Sequence, residues 1–253
     1  MTQRKINIIL CEGDTDRDLL GYYIMRVTNW RYKNNLKDPP FNLDEKASYI
    51  AWYKDKDDED NILGIWPIGG NNFIPAIDKI SKRLKFEGDV NKLVIITDHD
   101  DKAAETDRKE EIYSEFTEKL GSGVSKNDDT VSGWTEFSFN GGLGPSKINV
   151  YYLLVPIEEN GALETFMMNA LAENDDDKAA LIAEAKSFVQ KVSKIAGEKY
   201  LKGRRDKIKA ELGAAISVLS PDKVFSTMNE LISSVQWENF DNSHKQFQVL
   251  KEI

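Results

Sequence analysis

An α/β fold built on a mainly parallel sheet is predicted by two features of the sequence. Four short apolar runs stop abruptly at Gly, Pro or acid, and each is followed by a stretch with helical periodicity. The runs are KINIILC (5–11), ILGIWPIGG (62–70), the Leu93–Ile96 segment of NKLVIITDHDD, and INVYYLLVPI (148–157). Continuous apolar runs of this length suit strands covered on both faces, and alternation of strand with helix places those strands in one sheet.

The first run leads into EGDTDRDLLGYYIMRVTNW, a helix with Asp14 or Thr15 as N-cap and Leu19, Leu20, Tyr23 and Ile24 turned to the sheet. Pro39 and Pro40 interrupt the next stretch, where SYIAWY alone reads as a strand, so residues near 30–60 are expected to be an insertion. FIPAIDKISKRL is the helix after the second run, and DKAAETDRKEEIYSEFTEKL, charged and amphipathic, follows the third. A second insertion is expected near 121–147, rich in Gly, Ser, Asn and Asp, with an edge strand at GWTEFSF. Past Glu158 the pattern is helical to the end: GALETFMMNALAEN, DKAALIAEAKSFVQKVSKIAG, GRRDKIKAELGAAISVL, PDKVFSTMNELISSV and HKQFQVLKEI. The organisation read from this is an α/β core over 1–175 and a helical extension over 176–253, packed on the core or forming one domain with it.

Across 253 residues, 34 Lys and Arg face 43 Asp and Glu, a net charge of −9. That sign argues against a generally basic, DNA-reading surface. The charge is uneven, however. KYLKGRRDKIK (199–209) places Lys199, Lys202, Arg204, Arg205, Lys207 and Lys209 against Asp206 alone, while acid gathers in KDKDDED and ENDDDK. No apolar run approaches the ~18 residues that cross a bilayer. The N-terminal apolar stretch is broken by Asn7 and ends in acid, unlike a secretory leader, and the single Cys11 has no internal disulfide partner; a cytoplasmic protein is expected.

In a parallel sheet the chemistry gathers at the carboxyl ends of the strands. There the sequence sets Glu12 and Gly13, Gly69 and Gly70, Asp98 and Asp100, and, after the fourth run, Glu158, Glu159 and Glu164. Like charges ~4 Å apart cost of order 4 kcal/mol at an effective dielectric of 20, so such a cluster recruits a cation or raises its own pKa values. All-oxygen ligands favour Mg²⁺ or Mn²⁺. The two-residue spacing puts Asp98 and Asp100 on one side of an extended segment, with His99 facing away, and Asp16 falls one helical turn beyond Glu12. Each piece alone has a plainer reading: EG is a common turn, and DxD commonly caps a helix.

The conjunction of CEGDTD (11–16) with ITDHDD (96–101) resembles the Toprim domain of topoisomerases, bacterial primases and OLD-family nucleases. The resemblance extends through GIWPIGGNNF, VPIEENGALETFMMNAL, RRDKIKAEL and QWENFDNSHKQFQVL to a short stand-alone Toprim family related to the OLD nucleases, and so covers most of the chain. It implies a Toprim-like sheet of about four core strands with flanking helices. It makes Glu12 the Toprim glutamate and Asp98 and Asp100 the DxD pair that binds Mg²⁺, with Glu164 a further acid for a second metal and Lys207 or Lys209 a late lysine on the phosphate. A helix-dipole role for Glu164 and a solvated helix face for either lysine are equally open. No GxxxxGK[ST] occurs, so an OLD-type ATPase is absent from this sequence, as are the domains that make a topoisomerase or primase.

The function implied is Mg²⁺-dependent phosphodiester hydrolysis on DNA or RNA, with Glu12, Asp98, Asp100 and Lys207 as catalytic groups and Glu12, Asp16, Asp98, Asp100 and Glu164 on metal. Lys199, Lys202, Arg204, Arg205 and Lys209 would dock the nucleic acid. Glu12 is a ligand or a general acid or base; both stay open. The alternative is a non-catalytic module that keeps the fold and binds a metal or phosphorylated ligand, with the helical tail serving a protein partner or a second copy. Serine or cysteine hydrolysis has no support, since GxSxG is missing and Cys11 lies within a strand.

Overall fold

The run KINIILC forms β1 (Lys5–Cys11), flanked on its two edges by β4 (Asn61–Pro67) and β5 (Val90–Asp98) and parallel to both. Ile6, Ile8, Ile9, Leu10 and Cys11 are fully buried, which is why the strand reads as continuously apolar. The structure is a computed structural model that describes residues 4–41, 49–99, 102–121, 123–129 and 131–253. The other sheet strands are β2 (Trp30–Tyr32), β3 (Ala51–Asp55), β6 (Ser125–Asp128), β7 (Thr135–Gly141) and β8 (Gly144–Val155). The helices are α1 (Asp14–Val27), α2 (Ile74–Phe86), α3 (Lys102–Leu120), α4 (Leu163–Ala172), α5 (Asp176–Tyr200), α6 (Arg204–Leu219), α7 (Met228–Ser234) and α8 (Asp241–Gln246).

The strand order is β2-β3-β4-β1-β5-β8-β7-β6, so the four expected core strands are the contiguous centre of the sheet. The α/β class holds, but among the described residues the sheet has eight strands and is mixed, not a parallel sheet of about four. The segments expected as insertions supply the difference. β3 pairs antiparallel with β4 and β2 with β3 on one margin, while β7 pairs antiparallel with β8 and β6 with β7 on the other. GWTEFSF thus lies one strand inside the margin, covered by SKND of β6, whose four residues are all exposed.

Alternation along β1 divides the core. Ile6, Ile8 and Leu10 share one cluster with Ile77, Ile80 and Leu84 of α2 and Ile112 and Phe116 of α3. On the opposite face α1 lies over β3 and β4, bringing Leu19, Leu20, Tyr23 and Ile24 into the interior as its periodicity predicts. Gly21 makes that approach possible: a Cβ there would stand 2.1 Å from Tyr53 Oη. Gly64 does the same within the sheet, because a Cβ would come 2.7 Å from the ring of its cross-strand neighbour Trp52. The N-cap of α1 is Gly13, not Asp14 or Thr15, because Asp16 Oδ2 accepts the Gly13 N–H at 2.9 Å and so caps from inside the first turn.

One polar side chain interrupts β1. Asn7 is 1% exposed; its Nδ2 donates to Asn61 Oδ1 at 2.9 Å, and its Oδ1 accepts from Asn91 Nδ2 at 3.5 Å. The three amides tie β4, β1 and β5 together.

The chain divides into two compact units, one of Met1–Thr97, Asp101–Leu154 and Val249–Ile253, the other of Asp98–Asp100 and Val155–Gln248. Within the second, α5 and α6 pair, and Phe166 packs with its ring centroid 5.0 Å from that of Phe247 and 6.4 Å from that of Trp237. The expected helix PDKVFSTMNELISSV shortens to α7 behind a 3₁₀ turn at Pro221–Lys223, and HKQFQVLKEI breaks into the end of α8 and a 3₁₀ turn at Gln248–Lys251. α7 is capped by Thr227, which exchanges hydrogen bonds with Glu230 in both directions. Among the described residues no helix is long and apolar enough to cross a membrane. All five tryptophans are buried, which leaves none of them an open ring for a base.

Gly21→Ala is expected to cost about 1–3 kcal/mol, read as a lower urea midpoint at unchanged m value. Adding Tyr53→Phe to it should recover part of the loss, because the hydroxyl is the nearest obstacle; a double variant no better than the single one would show that the clash is relieved elsewhere.

Candidate functional site

Glu12 is the first residue beyond β1 and belongs to the first unit. Its side chain is buried, at 6% exposure, and Oε1 accepts a 2.6 Å hydrogen bond from Thr97 Oγ1 near the end of β5. Thr97 Oγ1 accepts in turn from Arg108 Nη1 of α3 at 2.8 Å. The guanidinium polarises the hydroxyl, and the hydroxyl donates to the carboxylate, so the buried Glu12 side chain is held by a relay of two hydrogen bonds that ends on a cation.

The main chain closes on the same residue. The carbonyl of Glu12 accepts from Gly69 N–H at 3.0 Å and Gly70 N–H at 2.9 Å. Gly69 and Gly70 have φ of +76° and +139°, conformations that L side chains seldom adopt, so the Gly-Gly pair lets the chain after β4 fold back there. A cleft of about 400 Å³ opens beside this group, with Asn71, Asn72 and Ile74 on one wall and Asp107, Arg108 and Glu111 on the other. Arg108 therefore both lines the cleft and reaches Glu12 through Thr97.

The other predicted groups fall as follows. Asp16 is the cap acid of α1. Cys11 is buried, and that burial pushes its thiol well above the ordinary range, against a nucleophilic role. Asp98, in the second unit, pairs through Oδ2 with Arg205 Nη2 at 2.9 Å. His99 is held by its neighbours: its N–H donates to Val155 O at 2.9 Å, Nδ1 lies 2.9 Å from Pro156 O, and its carbonyl accepts from Gly161 N at 2.7 Å. Arg204 also bonds that carbonyl, at 3.4 Å. Asp100 lies outside the described residues. Glu164 sits half-buried in the first turn of α4. Lys207 is exposed on α6, where burial pushes the Glu211 carboxyl up while Lys186 and Lys207 pull it down. Lys202 and Lys209 are exposed, and Lys199 lies over the Tyr200 ring at 4.9 Å.

The second unit thus joins a predicted metal ligand, Asp98, to a predicted phosphate contact, Arg205. Among the described residues no group of three or more His, Cys, Asp or Glu is placed to hold a metal ion. Thr97 and Arg108 escape sequence reasoning: Thr97 reads as one more strand residue, and Arg108 as one cation on a solvated acidic helix.

Thr97→Val should cost about 1–3 kcal/mol, because it removes the hydroxyl that serves both Glu12 and Arg108. Thr97→Ser keeps that hydroxyl and should lose only about 0.8 kcal/mol for the missing methyl. Urea unfolding compares them, and equal losses would leave the hydroxyl without a role.

No curated protein matches the chain. Among solved structures it is similar to the crystal structure of hypothetical protein PH0156 from Pyrococcus horikoshii OT3, at 15% identity with 98% of each chain covered and a TM-score of 0.47. Residues 6–252 match the family described as protein of unknown function DUF3226, and the chain belongs to that family.

Proposed function

We propose that the chain is a Mg²⁺-dependent phosphodiester hydrolase of Toprim type acting on DNA or RNA. The observation that carries this reading is the buried Glu12 carboxylate, hydrogen-bonded by Thr97 and, through it, backed by Arg108, beside a cleft of about 400 Å³. A carboxylate fixed in place at the end of a central parallel strand is suited to hold a hard cation or to accept a proton from water.

The fit to a cation is one of donor chemistry. Glu12, Asp98 and Asp100 offer hard oxygens in the EG and DxD pattern, and Asp16 and Glu164 are further acids. Bound Mg²⁺ or Mn²⁺ supplies the Lewis acidity that activates water and stabilises the departing alkoxide. Arg204, Arg205, Lys202 and Lys209 supply positive charge for a backbone phosphate, and Arg205 meets it by exchanging Asp98 for a phosphate oxygen. Lys207 contributes to the same field from the next turn of α6.

The Asp98–Arg205 pair also favours a second reading. A carboxylate already neutralised at 2.9 Å suits a module that binds a phosphorylated ligand through Arg205 without cleaving it.

Incubation of plasmid DNA and of RNA with Mg²⁺ or Mn²⁺ should give nicking or degradation, and Glu12→Gln and Asp98→Asn should each slow it by about 10²-fold or more. Arg204→Ala with Arg205→Ala should weaken binding and lower the slope of log affinity against log salt by about 2. Undiminished cleavage in both carboxylate variants would overturn the proposal, and binding without cleavage in every metal would select the second reading.

A further inference from the structure

Helix α5 has two apolar faces, only one of which is covered. Ile182, Ala185 and Val189 are buried, whereas Leu181, Phe188, Val192 and Ile195 are 40%, 59%, 36% and 84% exposed. At 100° per residue these four lie within an arc of about 60°, a continuous stripe on the flank of the helix. Large apolar side chains contiguous on a surface mark a place where something docks.

The charges beside the stripe say what fits. Asp177 and Glu184 lie along its amino-terminal half, Lys191 and Lys199 along its carboxyl-terminal half, all four exposed. The stripe is also symmetric about Phe188: Leu181 and Ile195 lie seven residues to either side, Asp177 and Lys199 eleven. An antiparallel second copy, turned about a two-fold axis through Phe188, sets Phe188 on the partner's Phe188, Leu181 on the partner's Ile195 and Asp177 on the partner's Lys199. A parallel copy sets like charges together. Within one helix Asp177 and Lys199 are 22 residues apart, about 33 Å, so they cannot pair in the same chain. An isologous contact needs one surface complementary to itself, and the reversal of charge about an apolar centre provides it.

We propose that the chain forms a two-fold symmetric homodimer through the Leu181–Ile195 flank of α5. This is independent of the hydrolase reading, and it assigns Lys199 to the interface instead of to a phosphate.

Sedimentation of the full chain at tens of micromolar should give twice the monomer mass. Phe188→Glu should give the monomer with an unchanged circular dichroism spectrum, since the side chain it alters is exposed, and a melting temperature that no longer rises with protein concentration as the wild type's does. Asp177→Lys and Lys199→Asp should each weaken the dimer about tenfold, and the two together in one chain should restore it, because each new lysine then meets the partner's new aspartate. Phe188→Cys should cross-link into a disulfide dimer under mild oxidation, free of background from the buried Cys11. A monomeric wild type, or a dimer that survives Phe188→Glu, overturns the proposal; failure of the double charge exchange to restore association overturns the two-fold register.

Discussion

Everything in the sheet depends on β1 being enclosed on both edges and both faces. Such a strand leaves its backbone groups no solvent, so every N–H and C=O must be satisfied by a neighbouring strand, and its side chains must be apolar or paired. The parallel registers with β4 and β5 meet the first demand. Asn7 meets the second by bonding Asn61 and Asn91. A register slip would bury those amides without partners, so the one buried polar position in the strand helps fix which residues oppose which.

The same strand sets where Glu12 lies. Polar contacts bracket β1: the Asn7 amide near its amino end, and beyond its carboxyl end the bond from Thr97 to Glu12, with Arg108 behind it. The apolar run between them supplies the low-polarity surroundings in which one well-placed guanidinium matters more than it would in water. The positive-φ glycines after β4 complete the arrangement, since their amides take up the Glu12 carbonyl and leave its side chain to face Thr97.

The centre of the fold was legible because enclosed parallel strands must be largely apolar, and β1, β4 and the Leu93–Thr97 stretch of β5 carry that mark, whereas β8 alternates buried with half-buried residues and was legible from its apolar half alone. The margins were not. SKND in β6 is exposed at every position and WRY in β2 at two of three, and nothing in four polar residues or a three-residue segment separates a marginal strand from a loop; their pairing is decided by β7 and β3, which lie beside them. Glu12 was legible through its Gly neighbour at a strand end, and the basic character of 199–209 through simple charge. The Arg205 contact to Asp98 was not, because the partners are separated by more than a hundred residues and each has a sufficient local reading, one as a ligand and one as a surface cation. Arg108 was hidden although its partner Thr97 is only 11 residues away, because on a charged helix it has a sufficient reading as a surface cation.

The two units are interleaved along the polypeptide. Asp98–Asp100 leave the span of the first unit for the second, and Val249–Ile253 return to the first, where Glu252 Oε2 receives the indole N–H of Trp134 at 2.7 Å. No single cut in the chain yields either unit whole. A gene fragment ending after β8 encodes a sheet without the group that satisfies Trp134, and one beginning there encodes helices without the segment that His99 and Asp98 stitch to them. A fusion that takes this sheet and stops after β8 therefore parts Trp134 from Glu252, and one that takes the helices alone parts them from Asp98 and His99.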